Sequence, residues 1–413
     1  MLDKPIEVLI LGGGFGGLYT AIKLSKSALV KQQKCKITLV EQKERFLFTP
    51  LLYELLTAEL QPWEIAPSYQ KLLTSTPINF CQQRVNSIDL AQRRVTLANQ
   101  QSLSYDYLVL ALGSENRRAT VTGSESVLYF RTLADAELLN ERLKLLEYTE
   151  KRFIRVGVVG GGANGVELAC KLAARLGDRA DIYLLEKGTQ LLKHFSRGVQ
   201  TAANRAIMKR KITVIYDSQI REITPEKIIL TNQTIPIDLV IWTVGTQPLS
   251  WLTNLDCQQT PQGKLLTTST LQLLNYPEVF TLGDILEIPH QIIPQTAQAA
   301  YQAANCVAVN LQAQILGKPL KTFRYLHLGD MLTLGKKAAV ISCYGFNLEG
   351  FIADKIRRLV YIQRLPTQRH RYQVLSNVLG NSLLRKLRFC RWQLKRFLSL
   401  TLRARKRLTE NKE

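Results

Sequence analysis

The sequence predicts an α/β protein with two Rossmann-like, dinucleotide-binding domains and a C-terminal α+β region. Three features carry that prediction. A strand–glycine turn–helix pattern opens the chain, a second copy begins at Arg155, and a strongly basic amphipathic segment closes it. The 413 residues exceed one usual domain of about 100–200, so two or three domains fit. Hydrophobic residues at 46% and charged residues at 21% exclude the disordered and fibrous classes. No apolar run approaches the roughly 20 residues of a membrane span. Met1-Leu-Asp-Lys-Pro leads straight into a strand-like run without a signal-peptide pattern, so the expected location is the cytosolic side.

The first element is the apolar strand Ile6–Leu11, followed by Gly12-Gly-Gly-Phe-Gly-Gly17 and a helix-like LYTAIKLSK. Gly12, Gly14 and Gly17 fit GxGxxG. The first allows a tight turn, the second lets a pyrophosphate approach the backbone, and the third permits close helix–strand packing. The helix start then offers free N–H groups to phosphates. A second strand, Lys36–Val40, ends at Glu41, placed to accept from a ribose, with the polar stretch 26–36 expected as a loop. The pattern recurs as strand Arg155–Val159, Gly160-Gly-Gly-Ala-Asn-Gly165, a helix, strand Asp181–Leu185 and Glu186. Gly160, Gly162 and Gly165 take the same three roles, and two complete fingerprints mean two dinucleotides.

Shorter signals follow the same grammar. Tyr107–Gly113 and Asp238–Gly245 are strands ending in glycine turns, and Val279–Asp284 ends in Gly-Asp, where Asp284 could bind the polyol of a flavin. In this order, GxGxxG…E, ALGS, GxGxxG…E, TVGT and TLGD resemble the two-dinucleotide-binding flavoproteins of the disulfide reductase superfamily. Finer segments resemble the type II NAD(P)H:quinone oxidoreductases: Phe46-Leu-Phe-Thr-Pro-Leu-Leu-Tyr53, Gly165-Val-Glu-Leu-Ala169 and Ala297-Gln-Ala-Ala-Tyr-Gln302. The stretch from Phe46 to Pro67 looks particularly like the cyanobacterial and plastid demethylphylloquinone reductase branch. The resemblance covers nearly the whole chain. Three positions depart from the usual pattern: ATG reads ALG, Pro-Thr before GVELA reads Ala163-Asn164, and the following Gly is Cys170.

The resemblance implies non-covalent FAD on the outer segments, 1–118 and 262–324, and NAD(P)H on the middle domain, 119–261, with residues 325–413 as a membrane-docking region. It places Phe15, Thr49, Leu52, Val85, Ala111 and Gly113 among the cofactor-binding residues. Thr296, Ala297, Asn164 and Gly245 join them. It also implies that Gln298 and Gln302, four apart on one helix face, bond quinone carbonyls, and that Glu167 serves proton delivery or quinone binding. Glu167 is expected in the first turn of its helix, near the positive end of the dipole. The reaction implied is transfer of a hydride from NAD(P)H to FAD and of two electrons to a prenylated quinone, without proton pumping. A demethylphylloquinone-like naphthoquinone or plastoquinone is the expected acceptor. Glu186 favours NADH by repelling a 2′-phosphate, whereas Lys187 and Lys193 could accommodate one.

The charge balance needs its own explanation. Lys+Arg 55 against Asp+Glu 33 gives +22, an excess that calls for a polyanion or an anionic membrane surface. In the tail, Leu383, Leu387, Cys390, Leu394, Phe397 and Thr401 form one helical face, with arginines and lysines mainly opposite. Residues 379–408 therefore read as a basic amphipathic helix lying in an anionic membrane interface, on the cytoplasmic face of a plasma or thylakoid membrane. Before it, Tyr325–Ile341 reads as a small sheet and Phe346–Ile362 as a helix, a region that could also carry a homodimer contact. Seven scattered cysteines without a CxxC pair, and four histidines without ligand spacing, argue against a dithiol and a metal centre. Two rivals remain: a soluble reductase of a small iron–sulfur protein, and a redox-sensing flavoprotein that binds nucleic acid. The apolar face of the basic tail favours membrane over nucleic acid.

Overall fold

Apolar runs buried on both faces set the architecture of this computed structural model, which describes residues 4–149 and 153–380. Ile6–Leu11 pairs in parallel with Cys35–Val40 on one side and Tyr107–Leu110 on the other. A central parallel strand reads as a continuous apolar run because both its faces are covered: here Ile10 faces the helix at Gly17, and Leu9 and Leu11 pack against Val85, Val95 and Leu97. Ile78–Cys81 extends the sheet beyond Cys35–Val40, and Tyr276–Thr281 extends it beyond Tyr107–Leu110. A second, five-stranded parallel sheet has the order Thr213–Ile215, Ala180–Leu185, Ile154–Val159, Leu239–Trp242, Leu128–Tyr129. Each parallel sheet is accompanied by a three-stranded antiparallel one, at Val85–Ser104 and at Ile220–Pro236. Ser114–Asn116 and Thr246–Pro248 pair antiparallel and link the two halves.

The Phe15–Leu24 helix packs on the Ala297–Ile315 helix. Gly16, Gly17 and Ala21 are buried on the first, Ala300, Ala303, Ala304 and Ala308 on the second. Helix separation follows the side chains at the contact, so these small residues bring the two backbones close. The alanines of AQAAYQAA are thus a packing face, which fixes where Gln298 and Gln302 point.

The structure corrects three expectations. The polar stretch 26–36 contains a helical turn, Ala28–Lys31, whose start is capped by the Ser27 hydroxyl accepting from Val30 N–H. Tyr325–Gly329 is irregular, and the small antiparallel sheet consists of Asp330–Thr333, Ala339–Cys343 and Phe346–Gly350. The expected helix at Phe346 begins only at Phe351. The reason is local: Tyr344 and Gly345 both have positive φ (47° and 86°) and form a two-residue hairpin loop between the paired residues Cys343 and Phe346.

A first compact unit ends at Tyr361, and residues from Ile362 onward belong to a second. Residues 368–380 are helical. The remainder of the expected amphipathic tail, 381–413, lies outside the described residues. Among the described residues no helix is long and apolar enough to cross a membrane.

Candidate active site

The two glycine turns are built alike. Gly12 has φ +96°, and a Cβ there would lie 2.3 Å from the Ala111 carbonyl oxygen. A Cβ on Gly17 would fall 1.8 Å from the Gly12 oxygen, whereas one on Gly14 would meet nothing within 4 Å. Gly12 and Gly17 thus serve backbone contact, and Gly14 keeps the cradle open for a phosphate. Glu41 accepts from Gly13 N–H through Oε2 (2.7 Å) and from Lys43 N–H through Oε1 (2.9 Å). In the second turn Gly160 has φ +114°, a Cβ on Gly165 would lie 1.8 Å from the Gly160 oxygen, and Gly162 is open. Glu186 accepts from Gly161 N–H and Gly188 N–H, both at 2.6 Å. A carboxylate offers about four lone-pair positions, so both glutamates keep capacity for ribose hydroxyls.

Other expected residues gather around the first cradle. Gly113 (φ +68°) and Gly283 (φ +82°) are open at Cα. Asp284 Oδ2 accepts from the Ser114 hydroxyl at 2.5 Å and lies 3.2 Å from Arg131 Nη2. Thr296 caps the helix that begins at Ala297, its hydroxyl accepting from Ala299 N–H at 3.2 Å. Phe15 sits in an aromatic group with Tyr19, Phe46 and Phe48. Thr49 and the buried Leu52 lie on the 3-10 turn Thr49–Leu55. Val85 packs into the core with Leu9, Val40 and Leu97, so it supports the sheet from within. The open Cα positions, paired carboxylates and helix N-termini fit one dinucleotide in each of the two cradles. On the second side Gly245 has φ +80° and faces Arg117.

Among the hydrogen bonds that join the two halves, Tyr53 Oη donates to Asn164 Oδ1 at 3.0 Å. The helix behind Asn164 runs Ala163–Leu176, so Glu167 is its fifth residue and stands beyond the first turn, not within it as the sequence predicts. Its Oε1 accepts from Thr333 N–H at 2.8 Å and lies 3.8 Å from Arg357 Nη2. Burial lifts the Glu167 carboxyl to about 7, against the opposing pull of Arg357 and the Thr333 N–H.

Gln298 and Gln302 both engage the irregular segment that follows the Ala297–Ile315 helix. Gln298 Oε1 accepts from Leu328 N–H (3.0 Å) and the Tyr325 hydroxyl (2.8 Å), and Gln302 exchanges two bonds with Leu326, at 2.7 and 3.0 Å. They strap that segment to the helix.

Several site residues went unnoticed in the sequence. Glu54, Lys171 and Arg357 are fully buried beside Glu167, and Arg131 reaches Asp284. A signal did exist for two of them. Glu54 interrupts the apolar run PLLYELL, and Lys171 lies one turn after Glu167 on a helix face otherwise occupied by Leu168 and Leu172. A charge on a buried face demands a partner.

Comparison with known proteins gives a consistent picture. Residues 6–304 match the pyridine nucleotide-disulphide oxidoreductase family. The chain is 40% identical over 395 residues to demethylphylloquinone reductase NdbB of Synechocystis sp., covering 93% of this chain and 98% of the relative. It is 36% identical over 417 residues to the alternative NAD(P)H-ubiquinone oxidoreductase C1 of Arabidopsis thaliana, covering 90% and 80%. Among solved structures, NDH2 of Plasmodium falciparum in complex with NADH shares the fold with a TM-score of 0.79 at 17% identity, covering 92% and 98%.

Proposed function

The chain belongs to the pyridine nucleotide-disulphide oxidoreductase family and, within it, to the type II NAD(P)H:quinone oxidoreductases; from that premise we propose how its site is divided. FAD occupies the Gly12–Gly17 cradle, NAD(P)H the Gly160–Gly165 cradle, and a prenylated quinone is reduced near their junction at Glu167. The observation that carries this reading is the duplicated cradle, each with its glutamate accepting from the N–H of Gly13 or Gly161, brought together by the Tyr53–Asn164 hydrogen bond. The 40% identity to a demethylphylloquinone reductase supports a naphthoquinone of that type as acceptor.

FAD, when bound, would supply the redox chemistry, as hydride acceptor from NAD(P)H and two-electron donor to the quinone. The chain supplies the rest. Gly14 and Gly162 leave room for pyrophosphates at two helix N-termini, and Glu41 and Glu186 accept from ribose hydroxyls. Asp284, steadied by Ser114 and Arg131, binds the flavin polyol. Asn164 and Tyr53 fix the distance between the two cofactor sites. Glu167 gives a proton to the quinone oxygen, because burial lifts its carboxyl to about 7 and leaves it partly protonated at neutral pH and largely so below. Gln298 and Gln302 hold the 325–329 segment along the quinone route. Glu186 beside Lys187 and Lys193 serves both NADH and NADPH.

The expected result is direct. NADH or NADPH bleaches the flavin band of the purified protein, and a naphthoquinone restores it rapidly in stopped flow. Protein without flavin, or flavin that no quinone reoxidises, would sink the assignment.

The enzyme docks peripherally, on the cytoplasmic face of its membrane. The Phe351–Arg364 helix exposes Phe351, Ile352, Ile356 and Leu359, with Ile352 62% exposed, and Lys355 and Arg364 share the same helix. An outward apolar face with cations beside it suits an anionic lipid interface. The double variant Ile352→Glu/Ile356→Glu is expected to lower co-sedimentation with anionic vesicles about tenfold or more while flavin stays bound. Unchanged sedimentation would remove this helix from the docking surface.

A further inference from the structure

Strand register makes the two cofactor crevices comparable residue by residue at the carboxyl ends of their parallel strands. In the second half Val159 pairs with Leu185 and Leu185 with Ile215, so Gly160, Glu186 and Tyr216 follow one another across three adjacent strand ends. In the first half Leu11 pairs with Val40 and Val40 with Cys81, which puts Gly12, Glu41 and Gln82 in the same three places. Glycine and glutamate repeat, and the third position does not. A glutamine stands in one crevice and a tyrosine in the other.

Tyr216 is fixed at the rim of its crevice. The backbone around it is pinned to the acidic loop: Ile215 O accepts from Glu186 N–H at 2.9 Å, Asp217 N–H donates to Gly188 O at 3.2 Å, and Ser218 N–H donates to Glu186 O at 3.0 Å. Asp217 has φ +50°, which turns the chain directly after the tyrosine. Ile215 packs against the apolar cluster of Val159, Leu185 and Ile223, whereas the Tyr216 side chain stays 39% exposed. Partial burial and the neighbouring Glu186 carboxylate both push its phenol above the ordinary value, so the ring lies near that carboxylate and stays neutral.

We propose that Tyr216 is the stacking platform for the adenine of NAD(P)H, and thereby a specificity-determining residue for the electron donor. The proposal rests on NAD(P)H occupying the second cradle, as assigned above. The covalent order of the ligand matches the order of the strand ends: phosphate, ribose and base follow one another as Gly160, Glu186 and Tyr216 do. The ribose whose hydroxyls reach Glu186 carries the base on the carbon next to its 2′ position. Adjacent strands are about 4.8 Å apart, so a base directed away from the phosphates falls one strand beyond the carboxylate, at Tyr216. An aromatic side chain offers such a base a flat apolar face, and stacking does not read the sugar. The 2′ substituent is left to Glu186, Lys187 and Lys193, and Tyr216 treats NADH and NADPH alike. The same three positions suffice for adenine nucleotides that lack nicotinamide, and ADP-ribose carries every group they contact.

The test measures ADP-ribose binding to the full-length flavoprotein by calorimetry, and steady-state kinetics with NADH, NADPH and reduced nicotinamide mononucleotide. The mononucleotide keeps the nicotinamide and its ribose phosphate but has no adenosine. In Tyr216→Ala the dissociation constant for ADP-ribose is expected to rise about tenfold or more, the loss of one base–aromatic stack. KM for NADH and for NADPH should rise by a common factor with kcat unchanged, as for an interaction that is equal in ground and transition states. The mononucleotide should react with Tyr216→Ala as with wild type. Tyr216→Phe should keep wild-type affinity, and Tyr216→Leu, which retains bulk without a flat ring, should lose most of it. Flavin absorbance verifies that each variant is folded and loaded. Unchanged ADP-ribose affinity in Tyr216→Ala or Tyr216→Leu, an equal loss with the mononucleotide, a change confined to NADPH, or a Tyr216→Phe protein as weak as Tyr216→Ala would overturn the platform. A wild type that binds no ADP-ribose, or binds it without competition from NADH, would instead overturn the placement of NAD(P)H in the second cradle.

Discussion

Gly17→Ala is expected to give a colourless protein without quinone reductase activity, whereas Gly165→Ala keeps its flavin but loses reduction by NAD(P)H. Each new Cβ would stand 1.8 Å from a backbone carbonyl oxygen, that of Gly12 or of Gly160. Neither carbonyl can retreat easily, because Gly12 N–H donates to Val40 O and Gly160 N–H to Leu185 O, both at 2.8 Å. Overpacking of this kind costs about 1–3 kcal/mol or more, and relief requires the turn to open exactly where phosphate donors must converge. The check is the flavin absorbance of each purified variant, then its bleaching by NADH, by NADPH and by dithionite. Dithionite should bleach Gly165→Ala normally. Retained flavin in Gly17→Ala together with a colourless Gly165→Ala would exchange the two cradle assignments.

The second large effect concerns stability. Lys171→Met should cost about 3–5 kcal/mol at neutral pH, because it strips a buried cation from both Glu54 and Glu59. The loss has a defined pH dependence. Glu59 is held at about 2 in the fold against an ordinary 4.5, so its stabilisation is complete above about 4.5 and disappears as pH falls towards 2. The gap between wild type and Lys171→Met in urea denaturation should narrow over that window. Glu167 runs the other way. Its carboxyl is lifted from 4.5 to about 7, so it costs nothing below 4.5 and progressively more up to 7. Glu167→Gln should therefore stabilise the fold above pH 7 by roughly 3 kcal/mol, less any weakening of the Thr333 hydrogen bond. A gap that does not depend on pH would remove the ion pairs from the explanation.

The parts legible in sequence were those that act locally. Ile6–Leu11 with Gly12, Gly14 and Gly17 states its own strand, turn and helix, since the glycine constraints come from neighbours five residues away. The same holds for Gly160, Gly162 and Gly165. Gln298 and Gln302 were found as a pair on one face, but their attachment to Leu326 and Leu328 depends on an irregular segment with no periodicity to read. Arg357 was invisible for a different reason. Its partners, Glu54 and Glu167, are far away in the chain, and an arginine among arginines and lysines on an amphipathic helix looks like one more solvated charge. The hairpin at Tyr344-Gly345 was hidden by its first residue, because a tyrosine with positive φ is an uncommon turn former.

The order of strands also sets an order of events on the ribosome. Everything in the five-stranded sheet lies between Leu128 and Trp242, so that half can close while synthesis continues. The sheet centred on Ile6–Leu11 must wait for Tyr276–Thr281 to cover Tyr107–Leu110, and the Phe15–Leu24 helix must wait for its Ala-rich partner. At about 5–20 residues per second, the nascent chain shows an open, apolar strand edge for roughly ten to thirty seconds. The half that starts first is completed last, and the cradle it carries becomes whole only when three-quarters of the polypeptide has emerged.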